Sequence, residues 1–263
     1  MKAFCWCAVF LSLFWFQASS QILVGPIAGA NYSWTTFANK DLKDSYKMIP
    51  TFGFHVGGHL AFKVRSRFFL HTSLLYATKG REIEGKTDLL LKNFERYSFI
   101  EMPISYTVDF KGKIGDNKEF KYFLGIGPNI SYWLGARGTL YNSDLEENNI
   151  GEISYKAVYE KSFEDQQQDE MNVADPNRFQ FGLNLVAGMV LEPAPRQRMM
   201  LTLRYELGHS YLAKTDGTFL NTYFESPLRS RNQGFRVSLA YLIDLKTEER
   251  KKGKSTIDRK KPK

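Results

Sequence analysis

The stretch "PTFGFHVGGHLAFKV", Pro50 to Val64, decides the fold. Its even positions from Phe52 to Val64 carry large apolar residues except at Gly58, and its odd positions carry Thr51, Gly53, His55, Gly57, His59, Ala61 and Lys63. A period of two marks a β-strand, because successive side chains point to opposite faces. Which face meets which environment is a separate question, and the rest of the chain answers it by repeating the pattern.

The alternation recurs in eight segments: 22–34, 50–64, 67–79, 94–110, 120–137, 178–192, 198–211 and 234–245. In the fourth, Ile100, Met102, Ile104, Tyr106 and Val108 alternate with Glu101, Pro103, Ser105, Thr107 and Asp109; in the fifth, Arg137 falls on the polar side with Asn129 and Ser131. A soluble sheet shows water a face rich in Lys, Glu and Thr. Here the polar face is dominated by Gly, Ser, Asn, His, Arg and Glu, a set suited to the cramped inside of a narrow barrel. The expected fold is therefore all-β: an eight-stranded antiparallel up-and-down transmembrane β-barrel with a plugged polar lumen. Gly53 and Gly57 make room inside, Lys63 joins the interior polar groups, and Tyr32, Trp34, Phe68, Tyr76, Tyr211 and Tyr241 form interfacial girdles.

Connection lengths point the same way. The links Arg65 to Ser66, Lys111 to Glu119 and Pro193 to Gln197 are short, and the other four are longer. In outer-membrane barrels the short turns are periplasmic, so both termini are expected in the periplasm.

The first 20 residues read as a cleavable signal peptide: one basic residue, an apolar run from Ala3 to Phe16 too short to cross a bilayer, then Ala18 and Ser20. Cys5 and Cys7 lie inside it, so the expected mature chain has no cysteine for disulfides, zinc-thiolate sites or nucleophilic catalysis. Residues 21–245 form the barrel and 246–263 a basic tail.

Charge is sorted along the chain. The third outer loop, Gly138 to Pro176, has ten acidic residues against two lysines, whereas the tail has nine basic against three acidic. The tail lacks apolar periodicity and reads as disordered, offering Arg250, Lys251, Lys252, Lys254, Arg259, Lys260 and Lys261 to an anionic partner. Nucleic acid is not expected, for no surface combines basic and aromatic residues for reading it.

His55, His59, His71, Glu101, Arg204, Glu206 and Arg236 all fall on inward faces and are expected to form one lumen polar network. Histidines beside a carboxylate are also metal-ligand types, but no metal or cofactor is expected. The "ELGHS" run brings Glu206, His209 and Ser210 together in sequence, yet neighbouring strand residues face opposite ways, so Ser210 does not reach His209 for activation and no catalytic site is expected. Asp165, Asp169, Glu170 and Asp175 lack calcium-loop spacing and read as solvated surface. Eight strands enclose roughly enough room for their own side chains, and Phe99, Phe123, Trp133 and Arg204 narrow the lumen further.

The segments "LLYATKGREIEG", "FIEMPISYTV", "FLGIGPNISYWLG", "FGLNLVAGMVLE" and "LRYELGHSYL" carry a resemblance covering nearly all of the chain after residue 20. It resembles the PorT-type outer-membrane β-barrel family of Gram-negative bacteria. That resemblance implies an eight-stranded barrel and, since some members serve type IX protein secretion and gliding, an envelope role. The expected function is a non-enzymatic interaction or assembly component, contacting outer-membrane lipid and envelope or secretion-complex proteins. The alternatives are a surface-exposed binding protein using the acidic third outer loop, and a small lipid-modifying barrel enzyme.

Overall fold

The computed structural model describes residues 21–114, 118–194, 196–220 and 224–245. The expected signal peptide (1–20) and basic tail (246–263) lie outside the described residues.

Eight long strands follow the eight periodic segments: β1 (Ile22–Phe37), β2 (Tyr46–Arg65), β3 (Phe68–Gly85), β4 (Lys92–Ile114), β5 (Lys118–Tyr141), β8 (Phe179–Ala194), β9 (Gln197–Gly208) and β12 (Ser230–Leu245). Each pairs antiparallel with the next in chain order, and β12 pairs back onto β1, so the eight close into a ring. The sheet is larger than the sequence pattern predicts, because β6 (Ile153–Tyr159), β7 (Glu170–Val173), β10 (Gly217–Phe219) and β11 (Glu225–Ser226) extend it from the long connections. β7, β10 and β11 are too short to show a recognisable period, whereas β6 alternates Ile153, Tyr155 and Ala157 with Ser154 and Lys156.

Links alternate in length around the ring. At one end, the turn end, Ser66–Arg67 join β2 to β3, Arg196 in the left-handed region (φ 66°) helps join β8 to β9, and Ile22 pairs with Leu245. The opposite, loop end carries the four long connections, including the short helices α1 (Lys40–Ser45) and α2 (Ser143–Glu147). β4 and β5 are 23 and 24 residues long, well beyond the roughly 9–11 that cross a bilayer.

The apolar face of each ring strand is the outer one. Phe52 is 72% exposed while His55, on the opposite face, is 1% exposed, and Leu74, Leu124, Phe181, Leu203 and Val237 continue the exposed band. An apolar patch encircling the molecule is not a water-facing surface. Aromatic side chains mark both margins of the band. Tyr32, Trp34, Phe52, Tyr205 and Phe235 cluster toward the loop end, and Phe68 stacks on Tyr106 and Phe110 on Tyr122 toward the turn end. Tyr211 differs from expectation: it lies past the end of β9, with the Arg231 guanidinium 4.5 Å from its ring centre.

Two further expectations change. Ser98 pairs with Gly135 and Phe99 with Trp133, so Leu134 is an extra residue in β5, and such a bulge inverts the facing of the residues beyond it. Ala136 and Leu140 therefore point inward and Arg137 outward. The glycines of β2 have a different task from making lumen space: a Cβ on Gly53 or Gly57 would strike the carbonyl of Thr78 or Leu74, so they permit close approach of β3.

The interior is layered: the inward Phe99, Phe123 and Trp133 belong to apolar clusters on either side of a polar belt. Toward the turn end it is filled by Leu23, Ile27, Phe69, Phe123, Met200 and Leu242. At the loop end Tyr97, Phe99, Trp133 and Leu140 pack with Leu145, Tyr155, Met171, Leu212 and Leu228 from the connections, making an apolar cap. Charged and polar groups occupy the belt between. Of the four loop carboxylates, Asp165 and Asp169 are exposed as expected and Asp175 makes an exposed pair with Lys214 at 3.1 Å, whereas Glu170 is buried and takes Lys161 Nζ at 2.6 Å and the Gln167 amide at 3.0 Å.

Candidate functional site

The middle belt is the densest concentration of chemistry-bearing groups inside the ring. Strand alternation delivers Lys79 from β3, Glu101 from β4, Arg204 and Glu206 from β9, and Arg236 from β12, all buried. Lys79 Nζ lies 2.7 Å from Glu101 Oε1 and 2.5 Å from Glu206 Oε1. Arg236 donates through Nη1 to Glu101 and through Nη2 to Glu206. Asn129 Nδ2 adds a donor to Glu206 at 3.1 Å. In ring order β3 lies opposite β9 and β4 opposite β12, so two bridges cross the lumen and interlock.

Of the seven residues expected in one network, the structure joins Glu101, Glu206 and Arg236 directly. The histidines form separate groups. His55 contacts Asn31 Oδ1 at 2.6 Å and Ser238 Oγ at 2.8 Å, while His59 contacts Ser73 Oγ at 2.8 Å and His71 Nδ1 at 3.0 Å. Arg204 sits directly across the strand pair from Arg236 and makes no salt bridge among the described residues. Among the described residues no three His, Asp or Glu side chains are arranged to hold a metal ion.

Sequence reasoning missed two features. Lys79 shares the parity of the inward His71 but is absent from the expected network, because alternation gives a facing and not a distance across the ring. A second buried pair lies toward the loop end, where Arg81 donates to Glu95 at 2.7 Å, to Pro227 O at 2.8 Å and to Ser226 Oγ at 2.9 Å. Tyr97, Tyr155, Asn93 and Ser226 also donate to Glu95, which ties the cap to the ring. The signal was present, since Arg81 and Ile83 continue the inward parity of Lys79.

The other candidates stand apart from this belt. Ser210 Oγ accepts the Phe181 amide at 2.9 Å and His209 is exposed. Lys63, expected in the lumen network, instead lines a turn-end recess of about 180 Å³ with Arg67, Lys111, Lys121, Arg198 and Asp109. In the interior, two cavities have about 10 Å³ each, about the least that admits one water.

A closed ring of eight antiparallel strands, apolar outside and polar within, defines the chain as an outer-membrane β-barrel. It belongs to the family described as outer membrane protein beta-barrel domain, which matches residues 16–210. Among curated proteins none matches the chain. It is similar in structure to Neisserial surface protein A (12% identity, TM-score 0.38, covering 87% of this chain and 98% of that one). It is also similar to Ail, the attachment invasion locus protein of Yersinia pestis (9%, 0.34, 84% and 98%), and to the outer membrane protein OprG from Pseudomonas aeruginosa (10%, 0.39, 86% and 94%). Likenesses this distant carry nothing about role.

Proposed function

We propose that this outer-membrane barrel is a non-enzymatic interaction or assembly component of the cell envelope, of the PorT type and linked to type IX protein secretion. The observation that carries the reading is the commitment of the interior. Its carboxylates are held by Lys79 and Arg236, and apolar clusters fill the lumen on both sides of them. An interior used for its own packing leaves the two ends for function. Both termini and the turn end are periplasmic in this reading, so that the basic tail and the turn-end cations Lys63, Arg67, Lys111, Lys121 and Arg198 are offered to an anionic envelope partner on the same side of the membrane through screened attraction. The test is in-cell crosslinking of the full chain against one truncated after Leu245, once both are verified in the outer membrane. Capture of a defined envelope or secretion complex only by the full chain supports the reading; identical capture profiles reject the tail as the binding element.

A second reading, surface binding of a cationic ligand by the third outer loop, is favoured by the way β6 and β7 build that loop onto the ring sheet. Deleting residues 140–175 would then abolish binding and leave secretion intact.

A further inference from the structure

The charge of the lumen belt does not balance. Counting histidine as neutral, it holds Lys79, Arg204 and Arg236 against Glu101 and Glu206, an excess of one positive charge. Both carboxylates are taken by Lys79 and Arg236. Arg204 is 5% exposed, and its Nε has no hydrogen-bond partner among the described residues. Glu101 and Glu206 are near enough to act on Arg204 but are paired with Lys79 and Arg236, and a buried guanidinium with no ion pair of its own is disfavoured in a low-dielectric interior.

The surroundings of Arg204 supply the rest of a site. It lines one of the cavities of about 10 Å³ together with His59, His71, Ser105, Thr107 and Thr202, and apolar side chains such as Ile27 and Met200 complete the wall. The Ser105, Thr107 and Thr202 hydroxyls are likewise buried and without hydrogen-bond partners among the described residues. Four orphaned groups around one small space can all donate, three of them by rotating a hydroxyl. Neither carboxylate of the belt lines this space.

We infer that this chamber is a binding site for one monatomic anion of the halide class, held by Arg204 Nε and the Ser105, Thr107 and Thr202 hydroxyls. Sulfate, phosphate and carboxylates carry too many atoms for the space. A halide is larger than a water, and rotation of the three hydroxyls together with a shift of the Arg204 side chain makes up the difference. A single negative charge there neutralises the belt and satisfies all four donors.

The experiment uses the protein refolded into detergent micelles in bromide, crystallised, and measured at the bromine absorption edge. An anomalous peak within hydrogen-bond distance of Arg204 and the three hydroxyls is expected, as is its loss in Arg204→Met. In parallel, protein refolded in chloride should show a higher urea midpoint than protein refolded in gluconate at equal ionic strength, and Arg204→Met should abolish that difference. Should Arg204→Met fail to fold, Thr202→Val keeps the guanidinium and is expected to reduce the chloride effect. Density without anomalous signal, meaning water alone, overturns the proposal, as does a chloride effect unchanged in the folded variants.

Discussion

Glu101 and Glu206 each meet the same two cations, so removing either carboxylate leaves Lys79 and Arg236 to share one partner. Breaking a buried pair by deleting one side costs about 3–5 kcal/mol. Glu101→Ala should lower stability by that order in urea titration of micelle-bound protein, while the double change Lys79→Met with Glu101→Met should cost less than the sum of the single losses. One position from the belt the rule reverses. Leu203 adjoins Arg204 on the same strand but faces outward, half exposed. Leu203→Arg should cost about 2–4 kcal/mol if it lies at bilayer mid-depth, measured by the same titration. Sequence alternation made these facings legible, including the inward Lys79. It could not show which inward residues meet, because partners on opposite strands are related by the width of the ring and not by spacing along the chain.

At the level of elements, β5 shows how one residue redirects a strand. Leu134 is the surplus residue, so deleting it restores simple pairing while keeping Trp133 and Ala136 inward and Arg137 outward. Deleting Ile130 instead inverts one side of a regular stretch. The first deletion should still give the fast-migrating folded form on an unheated gel, and the second should not. The eight ring strands were legible because each is long and one-sided. The bulge was not, since parity read in the Ile130 to Leu134 region continues without interruption to Arg137. Nor were the cap strands, whose pairing depends on contacts such as Thr218 with Asn172 between distant loops. Within the cap, the hydrogen bond from Lys161, followed by the Gln167 amide, lowers the pKa of Glu170. A carboxylate lowered on folding stabilises the folded form above its unfolded value, near 4.3 for glutamate. The contribution is lost as pH falls through the lower folded value. Pepsin digestion should therefore open residues 142–178 progressively below about pH 4, and Glu170→Gln should weaken that dependence on pH.

For the molecule as a whole, apolar clusters among the described residues fill the lumen on both sides of the charged belt. Planar-bilayer recordings of purified protein should show no porin-like conductance, and steady open-channel current would contradict the filled interior. The closed ring was foreseeable from even strand number and alternating link length. Its inward Phe99, Phe123 and Trp133 were legible too, but the layering was not, because residues such as Leu23, Met200 and Leu242 interrupt polar faces singly and become a plug only when the ring gathers them.

The crossing bridges also bear on time. Arg236 and Glu101 are separated by 135 positions, and Lys79 and Glu206 by 127. Each bridge spans the ring, so neither can form while an arc of strands is still open. Contacts between such distant segments come late in folding, after the entropy of closing the chain has been met. Interactions that form late slow departure from the native state more than they hasten arrival. The belt thus acts as a catch that engages after closure, giving the inserted barrel a long residence in its finished form.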